Sequence, residues 1–375
     1  MTITDLSVDN IVPLLAIPPD WPGGFWWHWL FFTVLIIAFV LIMVMGVIYI
    51  ERRGMGRMQS RLGPNRTGPF GLLQPVADAI KVLLKEDIVP ASADKIVHWL
   101  APVVAFAPAL MIFAVVPFMN GALLADLNIG ILYVVAISSV STVGIFMAGW
   151  GSSNKYSLLG AMRNVAAVVS YEIPLVLSIL GVVLIAGSLS LNQIVLAQQD
   201  IPFILLQPLG FLLFFIAGCA EINRSPFDLM EADSELVAGF HTEYSGMKFA
   251  MFYLVEYAEA VAISAIIATL FLGGWRGPVL PPWLWFVVKL VMVFFTMVWT
   301  RSTLPRIRID QLMALAWKFL FPLALINLVI TAIQVLAWPT AVPWIIVIVN
   351  FAIMAVLIVL WSKLFFKLGS GRIEV

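Results

Sequence analysis

The sequence predicts an all-α polytopic membrane protein, and three observations carry that expectation. Only 11% of the 375 residues are charged while 62% are hydrophobic, at a mean hydropathy of +1.04. A soluble chain carries charge on roughly a quarter of its residues, so a water-soluble enzyme is excluded. The apolar residues come in continuous runs of about 20 rather than in alternation, which excludes a β-barrel and fits helices that satisfy their own backbone in hydrocarbon. The basic residues crowd into alternate loops, as membrane topology requires.

Nine spans are predicted: Phe25–Ile50, Trp99–Met119, Ile129–Trp150, Val165–Gly187, Ile201–Ala220, Phe249–Leu272, Leu280–Thr300, Ala314–Ala337 and Val342–Trp361. The first lacks a basic segment before it and runs directly into Glu51-Arg52-Arg53, unlike a cleaved signal peptide. Residues 51–98 form a long first loop. Within it Leu72, Leu73, Val76, Ile80, Leu83 and Leu84 share one face, while Gln74, Asp78, Lys81 and Lys85 share the other. That pattern predicts an amphipathic helix over 72–85, with Pro75 in its first turn, lying along the membrane surface. Gly63-Pro64-Asn65 ahead of it reads as a rigid turn, and Glu51 amid five arginines suggests an ion-paired, defined structure. Trp338-Pro339-Thr340 reads as a tight turn between the last two spans.

Charge sets the orientation. Nineteen of the 21 Lys and Arg fall in the odd-numbered loops and the C-terminal tail; Arg276 stands alone on the other side and Lys289 lies within a span. The positive-inside rule therefore places the N-terminus outside, with the odd loops and the C-terminus in the cytoplasm. One cysteine rules out a disulfide framework, a thiolate iron–sulfur site and a Cys-based zinc site, and three histidines leave little for haem. No redox centre and no metal site is expected in this chain.

The acids carry the functional signal. Glu172 falls inside the fourth span, and Glu256 and Glu259 inside the sixth, three residues apart and so on one face. Glu221 closes the fifth span, and Asp228, Glu231, Asp233, Glu235 and Glu243 follow in the next loop. An ionised acid at the bilayer centre costs about 2.5–3.5 kcal/mol. Two readings explain acids placed there. Glu172 or Glu256 could pair with Lys289 or Arg301 as structural bridges. Alternatively, burial and like-charge neighbours raise carboxylate pKa values toward neutrality, which suits them to proton handling. The acidic excess favours the second.

Five ordered motifs resemble one family. They are Glu51-Arg52-Arg53 through Gly63-Pro64-Asn65-Arg66-Thr67-Gly68 with Gly71-Leu72-Leu73-Gln74-Pro75-Val76-Ala77-Asp78; Ser153-Asn154-Lys155-Tyr156-Ser157 with Ser170-Tyr171-Glu172; Ala220-Glu221-Ile222-Asn223-Arg224-Ser225-Pro226-Phe227-Asp228; Glu235-Leu236-Val237-Ala238-Gly239-Phe240-His241-Thr242-Glu243-Tyr244; and Arg301-Ser302-Thr303-Leu304-Pro305-Arg306. Together they are similar to the quinone-site membrane subunit of respiratory complex I, the family of the bacterial H subunit of NADH–quinone oxidoreductase and of mitochondrial subunit 1. Three positions depart from that pattern: Ala167 stands where the family usually has Gln, Met230 where Pro is common, and Asp233 where Glu is common.

The resemblance implies a subunit of a proton-translocating enzyme that forms the quinone access chamber with a peripheral subunit. It assigns Arg52, Gln59, Arg61, Asp78, Phe240, Arg301 and Arg306 to the chamber and its surroundings. Glu172, Glu221, Glu231, Asp233, Glu235 and Glu256 would form an acidic path toward pumping subunits; Glu259 joins them on the sequence argument alone. Quinone is then the substrate, while NADH, FMN and iron–sulfur clusters belong to partner subunits. The partners implied are the peripheral quinone-site and iron–sulfur subunits, small membrane subunits, antiporter-like pumping subunits, and lipid; nucleic acid is not among them. The expected location is the bacterial plasma membrane. Two alternatives share part of the signal: the homologous membrane subunit of an energy-converting nickel–iron hydrogenase, and a stand-alone cation/proton transporter.

Overall fold

The computed structural model describes residues 26–119, 123–224, 226–228, 237–338 and 344–370. Among them the chain is helical with no β-strand, and eight helices are long and apolar enough to cross a membrane. In chain order the helices are α1 (Trp26–Met58), α2 (Gln74–Leu83), α3 (Lys95–Met111), α4 (Gly130–Gly151), α5 (Lys155–Ala186), α6 (Leu191–Ala197), α7 (Phe203–Leu206), α8 (Pro208–Glu221), α9 (Gly246–Phe271), α10 (Pro282–Thr303), α11 (Ile309–Ala314), α12 (Phe321–Ala337) and α13 (Trp344–Ser370). The expected all-α polytopic architecture is the one observed.

Local chemistry sets the helix ends. Asp94 caps α3 by accepting from the backbone N–H groups of Ile96 and Val97 at 3.1 and 3.4 Å, and Asn154 caps α5 through Tyr156 N–H at 2.9 Å. Gly187 ends α5 in the left-handed conformation, φ 66°. Pro208 and Pro282 open α8 and α10, where a missing N–H costs nothing.

Helix α9 forms the centre. Its Ala260, Ala262, Ala265 and Ala268 are fully buried, and their small side chains let α1, α3 and α10 approach closely. Around it α3 packs on α4, α4 on α5, and α5 on α8 and α12. Helix α13 is the outlier, largely exposed and held to the body at α7, α8 and the turn before α12.

The helices differ from the predicted segments in three places. Helix α1 continues to Met58, so Glu51, Arg52 and Arg53 ride on a rigid helix rather than in a loop. The surface helix is the shorter Gln74–Leu83, because Pro69–Gly71 forms a separate 3-10 turn ending at Leu72. The run 201–220 is not one helix. It breaks at Gln207, whose φ/ψ of −132°/62° is driven by the following Pro208, and leaves the four-residue α7 and the 14-residue α8. At 1.5 Å per residue α8 spans about 21 Å, short of the roughly 30 Å of hydrocarbon. Between α11 and α12, Leu315–Leu320 widens into a π-helix, and the Lys318 carbonyl accepts from the Trp361 indole at 2.9 Å.

Candidate functional site: two groups of buried acids

The first group is ion-paired. Glu51, fully buried, receives Arg224 Nη1 at 2.6 Å on one oxygen and Arg301 Nη1 at 2.5 Å on the other. Arg224, itself 3% exposed, also lies 3.2 Å from Glu256 through Nε, and its guanidinium stacks 4.2 Å from the Tyr257 ring centroid. Burial works against the charge on Arg224, but the Glu51 carboxylate, and then Glu256, hold its pKa above the ordinary guanidinium value. Two carboxyl and two guanidinium groups thus form a compact quartet joining α1, the loop after α8, α9 and α10. Beside it Arg306 donates to Asp228 at 2.9 Å, with Asp228 buried and Arg306 half exposed.

The second group has no cation. Glu172 accepts from the Ser139 hydroxyl, Glu221 lies beside Glu172 and Ser138, and Glu259 lies beside Ser141, Glu221 and Glu256. Among the described residues no Lys or Arg forms an ion pair with these three. Two small clefts, each of about 30 Å³, share Glu259 in their linings. One is lined by Phe240, His241, Tyr253, Glu256 and Glu259; the other by Ser138, Leu175, Phe214, Glu221 and Glu259. Glu259 therefore faces the paired group on one side and the unpaired group on the other. Of the two bridges considered from sequence, Glu256 pairs with Arg224, and Lys289 instead donates to the carbonyls of Leu272, Gly274 and Arg276.

The remaining sequence-selected residues spread along the loop side. Arg52 pairs with Asp78, both about a third exposed, and Gln74 donates to the same carboxylate at 2.9 Å, which fastens α2 to α1. Arg53, not selected from sequence, donates to the Phe70 carbonyl at 2.8 Å and ties the 3-10 turn to the same helix. Arg61 donates to Gln59 at 2.8 Å on the exposed turn beyond α1. Phe240 is buried and its carbonyl accepts from Ser157 at 2.8 Å. The chain brings together Arg301, Glu256, Glu259, Glu221 and Glu172, sets Arg52 with Asp78 beside Tyr253 at the edge of that group, and leaves Arg61 and Gln59 on the exposed turn. Glu231, Asp233 and Glu235 lie outside the described residues. Glu51 and Arg224 were missed as site residues. The signal that could have found them is an acid and an arginine bordering apolar spans with no local partner of matching geometry.

The described residues thus define an all-helical, multi-pass membrane protein that buries ion-paired and unpaired carboxylates side by side. Residues 31–332 match the family model described as NADH dehydrogenase. The H subunit of NADH-quinone oxidoreductase from Dehalococcoides mccartyi strain CBDB1 is 61% identical over 353 residues, covering 94% of this chain and 99% of the relative. The proteins of the same name from Geobacillus kaustophilus and Bacillus mycoides are 53% and 52% identical, over 81% and 86% of this chain and 92% and 98% of theirs. The chain belongs to this family, the H subunits of NADH-quinone oxidoreductase.

Proposed function

We propose that this chain is the membrane subunit of a proton-pumping NADH–quinone oxidoreductase that walls the quinone access chamber and passes the effect of quinone reduction to its buried carboxylates. The observation that carries this reading is the position of Glu259, shared between two clefts and placed between Glu256 and Glu221. Reducing a quinone takes up two electrons and two protons. Before protonation is complete, negative charge stands in a low-dielectric chamber, where it acts on nearby carboxylates several-fold more strongly than in water. Glu256, Glu259, Glu221 and Glu172 then form a relay in which each acid feels the charge of the next. The quartet at its head keeps Glu51 ionised and fixes Glu256 at the entrance.

The chamber mouth lies along α1 and α2. Arg52, Asp78, Gln59 and Arg61 face the peripheral subunit that carries the terminal iron–sulfur cluster, with Phe240, Arg301 and Arg306 deeper. Glu231, Asp233 and Glu235 add acid to the chamber loop. The apolar face of α2 sits at the lipid surface, where a lipid-soluble quinone enters. NADH oxidation, FMN and the clusters reside in partner subunits, and the relay delivers to small membrane subunits and antiporter-like pumps. The protein sits in the bacterial plasma membrane with its N-terminus outside and its basic loops in the cytoplasm. The test is Glu259→Gln and Glu221→Gln in the assembled complex in proteoliposomes, with proton translocation and quinone reduction measured together. A severalfold loss of translocation is expected; wild-type rates and ratios for both variants would remove the relay.

A further inference from the structure

At the end of the bundle opposite the basic loops, a cavity of about 440 Å³ lies between α7 and the α12–α13 pair. Leu206, Thr331, Gln334 and Asn350 of its lining also line a second, much smaller space of about 10 Å³ at the break between α7 and α8. We propose that the large cavity is a water-filled vestibule, and that Gln207 and Asn327 bind one ordered water at its blind end.

Hydrogen-bond accounting selects the occupant. Gln207 and Asn327 are 3% and 8% exposed, and both line the small space. The Thr331 hydroxyl donates to the backbone carbonyl of Asn327 at 2.8 Å, so it accepts from Gln207 Nε2, 2.6 Å away. That fixes the Gln207 amide and leaves its Oε1 as an unpaired acceptor, while Asn327 Nδ2 is an unpaired donor. A cation would satisfy Oε1 and leave Nδ2 bare. An anion would do the reverse, and an acyl chain would leave both unpaired, at about 1–3 kcal/mol each. Water donates to one and accepts from the other, and the small space is the size of one water. The backbone points the same way. Pro208 interrupts the helix, and Asn350 donates to the freed Leu206 carbonyl at 2.6 Å while accepting from Gln334 at 2.5 Å. Non-helical backbone at membrane depth persists only where protein buries it or water lines it.

The vestibule also reaches toward the acids. A Cβ added at Gly181 of α5 would stand 2.6 Å from Gln207 Oε1, so the blind end lies at the level of Gly181. Glu172 is on the same helix, and at 1.5 Å per residue the separation along the axis is about 13.5 Å.

Labelling of engineered cysteines tests the proposal without reference to turnover, so its failure is separate from failure of the relay. Val335→Cys and Gln334→Cys line the vestibule, while Val329→Cys, on the same helix, faces outward at 57% exposure. The native Cys219 is buried and gives little background. In the whole complex in sealed vesicles, a trimethylammonium methanethiosulfonate added on the face opposite the basic loops is expected to modify Val335→Cys and Gln334→Cys at least about tenfold faster than Val329→Cys. A pyrene maleimide dissolved in the lipid should prefer Val329→Cys. Reaction of both lining cysteines with the lipid-borne reagent alone would mean an acyl chain fills the cavity, and reaction with neither reagent would mean it is closed; either overturns the proposal.

Discussion

Glu51 and Glu221 are the same residue type in the same bundle, yet their surroundings differ in kind. Glu51 has a guanidinium on each oxygen, whereas Glu221 has a serine hydroxyl and another acid. A buried carboxylate with two cations stays ionised and holds the fold together. Glu221 has no Lys or Arg paired with it among the described residues, so no salt bridge there depends on its charge. The comparison teaches that buried acids in one bundle differ by whether a cation stands beside them rather than by depth; on the function proposed above, the unpaired ones carry protons while Glu51 fastens the fold.

The severest way to break the comparison is Arg224→Met. It removes one of the two guanidinium groups on Glu51 and the one paired with Glu256, and breaking a buried ion pair by removing one partner costs about 3–5 kcal/mol. Loss of assembled complex from detergent extracts is expected, measured by native gel; adding Glu51→Gln should recover part of it. Normal assembly of Arg224→Met alone would show that the quartet is not a fastener.

Next in size is a contrast within the relay. Glu256→Gln removes one paired acid and should lower both complex stability and translocation, whereas Glu172→Gln should leave assembly intact and reduce translocation more mildly. Thermal inactivation scored beside proton pumping separates the two, and equal thermal inactivation would erase the distinction. The smallest stability effect belongs to Asp78→Asn, which removes a pair that is real but about a third exposed. Such pairs contribute about 0–1 kcal/mol, so stability should hold while the apparent KM for quinone rises. Electron transfer from NADH to a hydrophilic acceptor should survive, and its loss would assign Asp78 to assembly instead.

The helices were legible because hydrocarbon imposes its length and its polarity on the sequence directly. The unpaired acids were legible for the same reason: Glu172 and Glu259 interrupt apolar runs. Pairing was not. Glu51 stands next to Arg52 and Arg53 in sequence, but Arg53 turns to Tyr49 and Phe70 and Arg52 to Asp78, while Glu51 takes partners from α10 and the loop after α8. Only the packed bundle decides among those choices. The break at Gln207 was hidden by hydropathy, since 201–220 is apolar throughout, although the Gln-Pro dipeptide marks it.

The quartet also imposes a schedule on synthesis. Arg224 leaves the ribosome 173 residues after Glu51, and Arg301 250 residues after it. At about 5–20 residues per second, those intervals are roughly 9–35 s and 12–50 s. Throughout that time α1 carries an acid whose countercharges do not yet exist, so its Glu51 end must wait at the lipid headgroups, with Glu51 wet or protonated. Helix α1 can therefore complete its docking only after the loop beyond α8 and then α10 have arrived.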